Sequence, residues 1–272
     1  MLFGEHAVVY GYPCIVTALS ERLFVSEGVA VGDTRFLDAA IQLWGNSDTK
    51  LAAKSTFSGK YGFGSSSAVT VAALKYLKPN ASDKEVFDAA YKIVLDIQGV
   101  GSGFDVAAAT YGETLYYIKN KVIEPLTIQE MPLVVGYTGV KADTKTFIAD
   151  VAAKRAREPE KVERIFAAIA KIVEEAKIKM LEGDWERVGR LMDFNQEYLR
   201  DLGVSSEKLE VLISAAKRAG AWGAKLSGAG GGDCMIVLGP RDKRDVIRKA
   251  IEGAGGEVIN VSPNAEGVRI EP

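Results

Sequence analysis

The order of hydrophobic and polar positions predicts a chain that mixes strands and helices. Between Ile15 and Val31, apolar residues alternate loosely with polar or small ones, as they do in strands. Glu113 to Lys119 and Leu133 to Tyr137 are rich in β-branched and aromatic residues, which also favours strands. Val69 to Leu77 is largely apolar and follows a run of glycine and serine, so we predict a buried helix there.

Helix boundaries can be predicted from end signals along the chain. Ser82 and Glu85 have the spacing of a capping box, which predicts the start of an amphipathic helix that runs to about residue 98. From about residue 159 to residue 202 the pattern is helical, and Gly183 and Gly203 have the positions of stops for two long helices.

The last quarter of the chain predicts a small lobe of mixed structure. A helix from Ser206 to Ala219 is followed by a strand at Ala224 to Ser227, a glycine loop and a strand at Asp233 to Leu238. A helix from Asp242 to Ala254 and a strand from Glu257 to Val261 complete it. This order favours an α+β fold. We predict two lobes, 1–146 and 147–272, with a soft boundary.

Composition narrows the class of protein. Of the 272 residues, 47% are hydrophobic and 26% charged, an ordinary globular balance. The 34 Lys and Arg nearly cancel the 36 Asp and Glu, so we expect no nucleic-acid or anionic-membrane partner. We find no apolar run of about 18 residues and no secretory signal, and we expect a cytoplasmic protein. Cys14 and Cys234 are too few for a disulfide framework or a zinc site, so we interpret them as small core residues.

A phosphate-binding loop is indicated by residues 62–68, Gly-Phe-Gly-Ser-Ser-Ser-Ala, which lead into a predicted helix. Glycines let the backbone approach a ligand, and the unpaired first amides and dipole of a helix favour an anion. Serine hydroxyls can bond phosphate oxygens or ligate Mg²⁺. A plain helix cap with flexible glycines is an equally good interpretation of this motif alone. The segment is neither a Walker loop nor a dinucleotide fingerprint.

Two further glycine-rich segments carry candidate chemistry. Residues 227–233, Ser-Gly-Ala-Gly-Gly-Gly-Asp, hold more glycine than a hairpin needs, which suggests close approach of a phosphate or of another backbone, although a mobile turn is the alternative. Residues 101–105, Gly-Ser-Gly-Phe-Asp, place Asp105 in a predicted loop between a helix and a strand. Such a carboxylate can take a hydroxyl proton, although a lone Asp there is usually a turn residue.

Four segments together resemble the mevalonate kinases of the GHMP kinase superfamily. Residues 4–13, Gly-Glu-His-Ala-Val-Val-Tyr-Gly-Tyr-Pro, resemble the first motif of that family, and residues 62–68 resemble the phosphate-binding loop. Residues 225–232 are similar to the third motif, and residues 191–205 to the helical region before it. The resemblance implies a two-lobed fold, with an N-terminal lobe like ribosomal protein S5 domain 2 and a ferredoxin-like C-terminal lobe.

The resemblance also implies roles for individual residues. ATP and Mg²⁺ would sit between the lobes, beside the acceptor, and Asp105 matches the catalytic aspartate. Nucleotide-binding positions are Gly62, Gly64, Ser65, Ser66, Ser67, Gly228, Ala229, Gly230 and Gly231. Ser66 matches the serine that binds Mg²⁺, whereas Glu5, His6 and Thr144 match positions near mevalonate. Many relatives are dimers, so a homodimer is a further expectation.

The sequence departs from the family pattern in three places. Members carry Pro-Gly-Lys just before Leu-Phe-Gly-Glu-His, with a lysine that helps catalysis, whereas this sequence starts at Met1. We interpret this as incompleteness, with an impaired protein as the alternative. The segment between Val31 and Ser55 is shorter than usual. The magnesium-binding glutamate is replaced by Val94, and Asp96 is the nearest acid, which is either a substitute metal ligand or a residue of a solvated helix face.

The acceptor is predicted to be mevalonate, phosphorylated at its 5-hydroxyl. Residues 60–62, 101–105 and 233–234 look more like phosphomevalonate kinases, but the first motif and residues 195–205 look like mevalonate kinases. A phosphorylated acceptor needs a cationic cluster, and the first lobe offers only scattered candidates, such as Lys60, Lys141 and Lys145. A non-catalytic nucleotide-binding relative is the alternative of another class. A sugar kinase is disfavoured, because Ala7 to Tyr10 replace the sugar-binding motif.

Overall fold

A computed structural model describes residues 1–271 of the chain, and its first lobe contains two small sheets and a group of helices. The strands are β1 (Cys14–Thr17), β2 (Leu23–Glu27), β3 (Leu51–Ser55), β4 (Thr114–Ile118) and β5 (Val122–Leu126). One antiparallel sheet has the order β1-β4-β5, and β2 pairs antiparallel with β3. The helices are α1 (Arg35–Trp44), α2 (Ser65–Leu77), α3 (Asp83–Gln98) and α4 (Phe104–Tyr111).

The second lobe is a four-stranded antiparallel sheet with helices around it. Its strands are β6 (Leu133–Tyr137), β7 (Gly223–Ser227), β8 (Cys234–Leu238) and β9 (Glu257–Ile259). Its helices are α5 (Thr144–Arg157), α6 (Pro159–Glu182), α7 (Trp185–Leu202), α8 (Glu207–Arg218) and α9 (Arg244–Gly253). The sheet order β7-β8-β6-β9 and the succession β6-α8-β7-β8-α9-β9 define a ferredoxin-like arrangement. The predicted α+β class is therefore confirmed.

The chain crosses between the two lobes more than once. Strand β6 ends before residue 146 but pairs with β8 and β9 of the second lobe. After β9 the tail returns to the first lobe, where Pro263 bridges Leu19 and Glu266 bridges Gly112. The division of the chain at residue 146 stays a prediction.

The predicted helix ends follow the local signals, but three helices were not predicted. The capping box is present, because Ser82 Oγ accepts from the Glu85 amide at 3.3 Å and the Glu85 carboxylate accepts from the Ser82 amide at 2.9 Å. Gly183 and Gly203 end α6 and α7 in the left-handed conformation. The prediction that Asp105 lies in a loop between a helix and a strand was wrong, because it lies in the first turn of α4. An eight-residue helix is too short for a clear periodic pattern, and α1 and α5 were missed as well.

The two lobes share one hydrophobic core. Leu2 and Ile15 of the first lobe belong to the same buried cluster as Leu226 and Met235 of the second. Both cysteines are buried and unpaired, which confirms their interpretation as core residues. Within residues 1–271, no helix is both long enough and apolar enough to span a membrane.

Candidate active site

The glycine- and serine-rich segment forms a tight loop that runs into α2. A short 3₁₀ helix, Gly59–Tyr61, precedes it. Gly62 (φ 71°) and Gly64 (φ 72°) both adopt the left-handed conformation, which residues with a Cβ rarely enter. The first helical bond runs from the Ala68 amide to Gly64 O at 3.0 Å. The amides of residues 65–67 therefore have no acceptor inside the helix and form a donor set suited to an anion.

Asp105 lies directly against this loop. A Cβ built on Gly64 would lie 3.4 Å from both Cβ and Cγ of Asp105. The Asp105 side chain is exposed to the space between the lobes, where protein on both sides still removes part of its hydration. This desolvation raises the pKa of Asp105 to about 6, and the nearby Met1 ammonium acts in the opposite direction. A carboxylate with that pKa is ionised near neutrality and can accept a proton.

The glycine-rich segment at residues 227–233 faces the phosphate-binding loop at residues 62–68 across a cavity of about 280 Å³. Gly228 has φ 100°, and a Cβ there would meet no atom within 4 Å, so this position opens onto free space. A Cβ on Gly62 would lie only 2.6 Å from Asp233 Oδ2, which shows how closely the two segments approach. The cavity lining includes six residues predicted for the site: Gly62, Gly64, Asp105, Thr144, Gly228 and Ala229.

Gly230 and Gly231 are packed inside their own lobe. A Cβ on Gly230 would lie 2.1 Å from Val204 O, and one on Gly231 would lie 1.9 Å from two ring carbons of Phe147. The Gly231 amide also donates to Val204 O at 2.8 Å. Close packing against Val204, just after α7, and Phe147, near the start of α5, therefore explains why glycine occupies both positions. Their contact with a nucleotide stays a prediction.

Glu5 and His6 connect the first motif to the third instead of lining the cavity. Glu5 forms an ion pair with Lys225, and both side chains are 0% exposed. The second oxygen, Glu5 Oε2, is buried without a protein partner. His6 Nε2 donates to Ala229 O at 2.9 Å, and burial lowers the pKa of His6. Contact of either residue with the acceptor stays a prediction.

The predicted metal ligands receive unequal support from the geometry. Ser66 lies in the first turn of α2, two residues after the lining residue Gly64, whereas Asp96 is an exposed residue near the end of α3; neither side chain is part of the cavity lining. Val94, at the family's glutamate position, is 5% exposed and packs in the helical core. Within residues 1–271, no group of three or more His, Cys, Asp or Glu side chains could hold a metal ion.

Several cavity residues were not found from the sequence. Arg22 lines the cavity and donates through Nη1 to Glu266 O at 2.7 Å and to Gly267 O at 3.1 Å. Phe57 and Val268 contribute apolar surface to the same cavity. The tail carries no motif, and its place in the cavity depends on its return to the first lobe. No local signal could have identified these residues.

Comparisons with known proteins agree with this geometry. Residues 33–113 match the description "GHMP kinases N terminal domain", and residues 176–257 match "GHMP kinases C terminal". The chain is 35% identical over 321 aligned positions to the mevalonate kinase of Thermococcus gammatolerans, and the alignment covers 100% of this chain and 96% of the relative. It is 36% identical over 320 positions to the mevalonate kinase of Pyrococcus horikoshii, with 100% and 95% covered.

A solved structure shows the same arrangement of lobes. The crystal structure of Leishmania major mevalonate kinase in complex with R-mevalonate superposes with a TM-score of 0.85 and 28% sequence identity, covering 98% of this chain and 94% of that one. Identity above 30% with curated relatives extends along the whole chain, and both family descriptions match in order. The chain therefore belongs to the GHMP kinases, within the mevalonate kinase family.

Proposed function

We propose that this protein transfers the terminal phosphoryl group of ATP to the 5-hydroxyl of mevalonate. The observation that carries the proposal is the position of Asp105, which lies against Gly64 and opens into the cavity that Gly228 borders from the other lobe. Phosphoryl transfer depends mainly on positioning and charge neutralisation, with one group that orients or deprotonates the attacking hydroxyl. The curated mevalonate kinase relatives support both the reaction and the acceptor.

The nucleotide phosphates fit between the two glycine segments. The free amides at the start of α2 would bind phosphate oxygens from one side, and the backbone of Gly228 and Ala229 would approach from the other. The apolar side chains of Phe57 and Val268 extend the same cavity and suit a nucleobase. This orientation places the terminal phosphate toward Asp105.

Magnesium fits the oxygen donors in this cavity. Mg²⁺ usually takes one or two protein oxygens, with phosphate oxygens and water as its other ligands, so a cluster of three protein ligands is not required. Ser66, in the first turn of α2, and Asp105, in the cavity lining, would hold it. When bound, the ion would neutralise charge that develops on the transferred phosphoryl group.

Asp105 would orient the acceptor hydroxyl and receive its proton. With a pKa of about 6, Asp105 is ionised above that pH and is a stronger base than an aspartate with an ordinary pKa. Thr144 lines the cavity at the start of α5 and offers a hydroxyl next to the acceptor.

Ion pairing favours mevalonate over phosphomevalonate as the acceptor. Two of the three lysines considered for a second phosphate are already paired: Lys60 with Glu257 at 2.8 Å and Lys141 with Asp233 at 3.3 Å. A phosphorylated acceptor would have to displace these carboxylates before gaining either cation. Mevalonate carries no phosphate and requires no such exchange.

The proposal is tested by coupled measurement of ADP release with mevalonate and with phosphomevalonate as acceptors. We expect turnover with mevalonate, and a loss of about 10²- to 10⁴-fold in kcat in Asp105→Asn. Asp105→Asn should still be stabilised thermally by ATP, since the phosphate-binding amides are unchanged. A change in the Mg²⁺ requirement of Asp96→Asn would support the Asp96 prediction, and Asp201→Asn, which changes an exposed carboxylate on α7, is the matched control.

Three outcomes would contradict parts of this proposal. Turnover with phosphomevalonate alone would reassign the acceptor. Stabilisation by ATP without turnover of either acceptor would favour a non-catalytic nucleotide-binding protein. Unchanged kcat in Asp105→Asn would remove Asp105 from the reaction.

A further inference from the structure

We infer that Lys60 and Tyr61, held by Glu257 of β9, are positioning residues for the phosphate-binding loop. We call these three residues the clasp. The clasp connects the short 3₁₀ helix before the loop to the last strand of the second lobe. The inference rests on the proposed function only for the identity of the nucleotide whose binding it affects.

Both carboxylate oxygens of Glu257 take part in the clasp. Tyr61 OH donates to Glu257 Oε1 at 2.5 Å, and Lys60 Nζ donates to Glu257 Oε2 at 2.8 Å. The two hydrogen bonds and the ammonium of Lys60 lower the pKa of Glu257, so the carboxylate stays charged at neutral pH. One side chain of the second lobe thus restrains two neighbouring residues of the first.

Further contacts join the same short segment to β6 and β8. The rings of Tyr61 and Tyr137 pack edge to face with centroids 5.3 Å apart, and Lys60 Nζ lies 5.4 Å from the centre of the Tyr137 ring. The Cys234 thiol donates to Tyr61 O at 3.3 Å. Residues 60–61 therefore contact three strands of the second lobe.

The position of Tyr61 determines where the loop amides point. Only three residues separate Tyr61 from Ser65, the first residue of α2, and two of them are glycines in the left-handed conformation. Glycine has a wide range of backbone conformations, so the loop relies on its flanking residues to restrict it. On one side that restriction is α2, and on the other it is the clasp. The clasp thus couples the docking of the lobes to the geometry of the donor amides.

The size of the effect follows from the exposure of the clasp. The side chains of Lys60 and Glu257 are 44% and 47% exposed, so the ion pair by itself is weak. The hydrogen bond from Tyr61 to a charged acceptor is stronger than a neutral one. We expect loss of the clasp to change local opening and nucleotide affinity by roughly fivefold, with the global fold retained.

Thiol labelling of Cys234 measures this opening directly. Cys234 is 4% exposed, and its sulfur lies against the carbonyl of Tyr61, so movement of the segment away from β8 should speed its reaction with a thiol reagent. The experiment uses the protein without nucleotide, since a ligand in the cavity could cover Cys234 itself. Peptide mass spectrometry distinguishes Cys234 from Cys14, which is 0% exposed. We expect roughly fivefold faster labelling in Glu257→Gln and Tyr61→Phe.

A matched control and a second readout separate positioning from simple packing. Glu252→Gln changes an exposed carboxylate on the adjacent helix α9 and should leave labelling unchanged. In Glu257→Gln we expect the KM for ATP to rise roughly fivefold, while kcat and the KM for mevalonate change less than twofold. Glu257→Asp, which keeps the charge, should recover part of the loss.

Two results would overturn the inference. Unchanged Cys234 labelling in both clasp variants would show that the clasp does not hold the segment. Faster labelling with an unchanged KM for ATP would show that the clasp has only a structural role. If the unaltered protein turns over neither acceptor, the proposed function fails. The clasp inference is then tested by the labelling rates and by the dissociation constant of ADP, measured in the unaltered protein and in Glu257→Gln.

Discussion

The buried ion pair between Glu5 and Lys225 gives the sharpest test of how the lobes are joined. We consider the substitution Lys225→Met, which removes the ammonium while keeping an unbranched apolar side chain. Both side chains of the pair are 0% exposed, and Lys225 Nζ also donates to Leu226 O at 2.6 Å. The variant therefore leaves a carboxylate in the interior with no cation beside it.

The expected cost follows from this geometry. Breaking a buried pair by removing one partner typically costs about 3–5 kcal/mol, because the remaining charge keeps its desolvation penalty. Glu5 has little to compensate, since its second oxygen already has no protein partner. At about 2–4 °C per kcal/mol for a protein of this size class, we expect the melting temperature to fall by about 10 °C.

The double variant Glu5→Leu/Lys225→Met removes both charges. An apolar pair of similar volume avoids both desolvation penalties, so we expect its stability to lie within about 2 kcal/mol of the unaltered protein. Lys84→Met provides the matched control, because Lys84 and Asp88 form an i,i+4 pair whose side chains are 78% and 56% exposed. That substitution should cost less than about 1 kcal/mol.

Equilibrium unfolding in urea measures these differences. The protein contains three tryptophans, and Trp222 adjoins β7, so fluorescence reports on the strand that carries Lys225. The reasoning would be refuted if Lys225→Met cost no more than Lys84→Met. The single variant Glu5→Leu completes the comparison. The reasoning would also fail if the double variant lost as much stability as Glu5→Leu and Lys225→Met lose together, since the two losses would then be independent.

The remaining predictions concern the cavity. Desolvation raises the pKa of Asp105 to about 6, and the carboxylate must be ionised to act as a base. We therefore expect kcat/KM to fall as the pH drops through 6 and to be constant at higher pH. A fall centred near pH 4 would show that the pKa of Asp105 is not raised. Gly231→Ala should destabilise the fold by about 2–4 kcal/mol, because its Cβ would overlap the Phe147 ring at a positive φ; thermal unfolding measures this. Gly228→Ala meets no neighbouring atom and carries only the strain of a Cβ at φ 100°, so it should cost about 1–2 kcal/mol, less than Gly231→Ala, and raise the KM for ATP.

The local structure of the chain was largely determined by the sequence itself. The capping box at Ser82 and the left-handed ends at Gly183 and Gly203 involve interactions within a few residues, so short patterns are sufficient to predict them. The phosphate-binding loop was found for the same reason, since two glycines and a helix start lie next to each other in the chain. Three helices were missed. The α4 helix is too short for a clear periodic pattern and α5 buries little besides Val151, whereas α1 was missed although Phe36, Leu37 and Ala40 are spaced for one helical face.

The tertiary structure alone decided which segments meet and what each glycine is for. Gly62 lies against Asp233, Gly231 packs on Phe147, and Glu5 pairs with Lys225. The last of these pairs joins residues 220 positions apart. No short pattern encodes such a partner, because its choice depends on how two lobes with a shared core pack together. Identical local chemistry can therefore form a binding surface at one glycine and a close packing contact at another, and only the folded chain distinguishes the two.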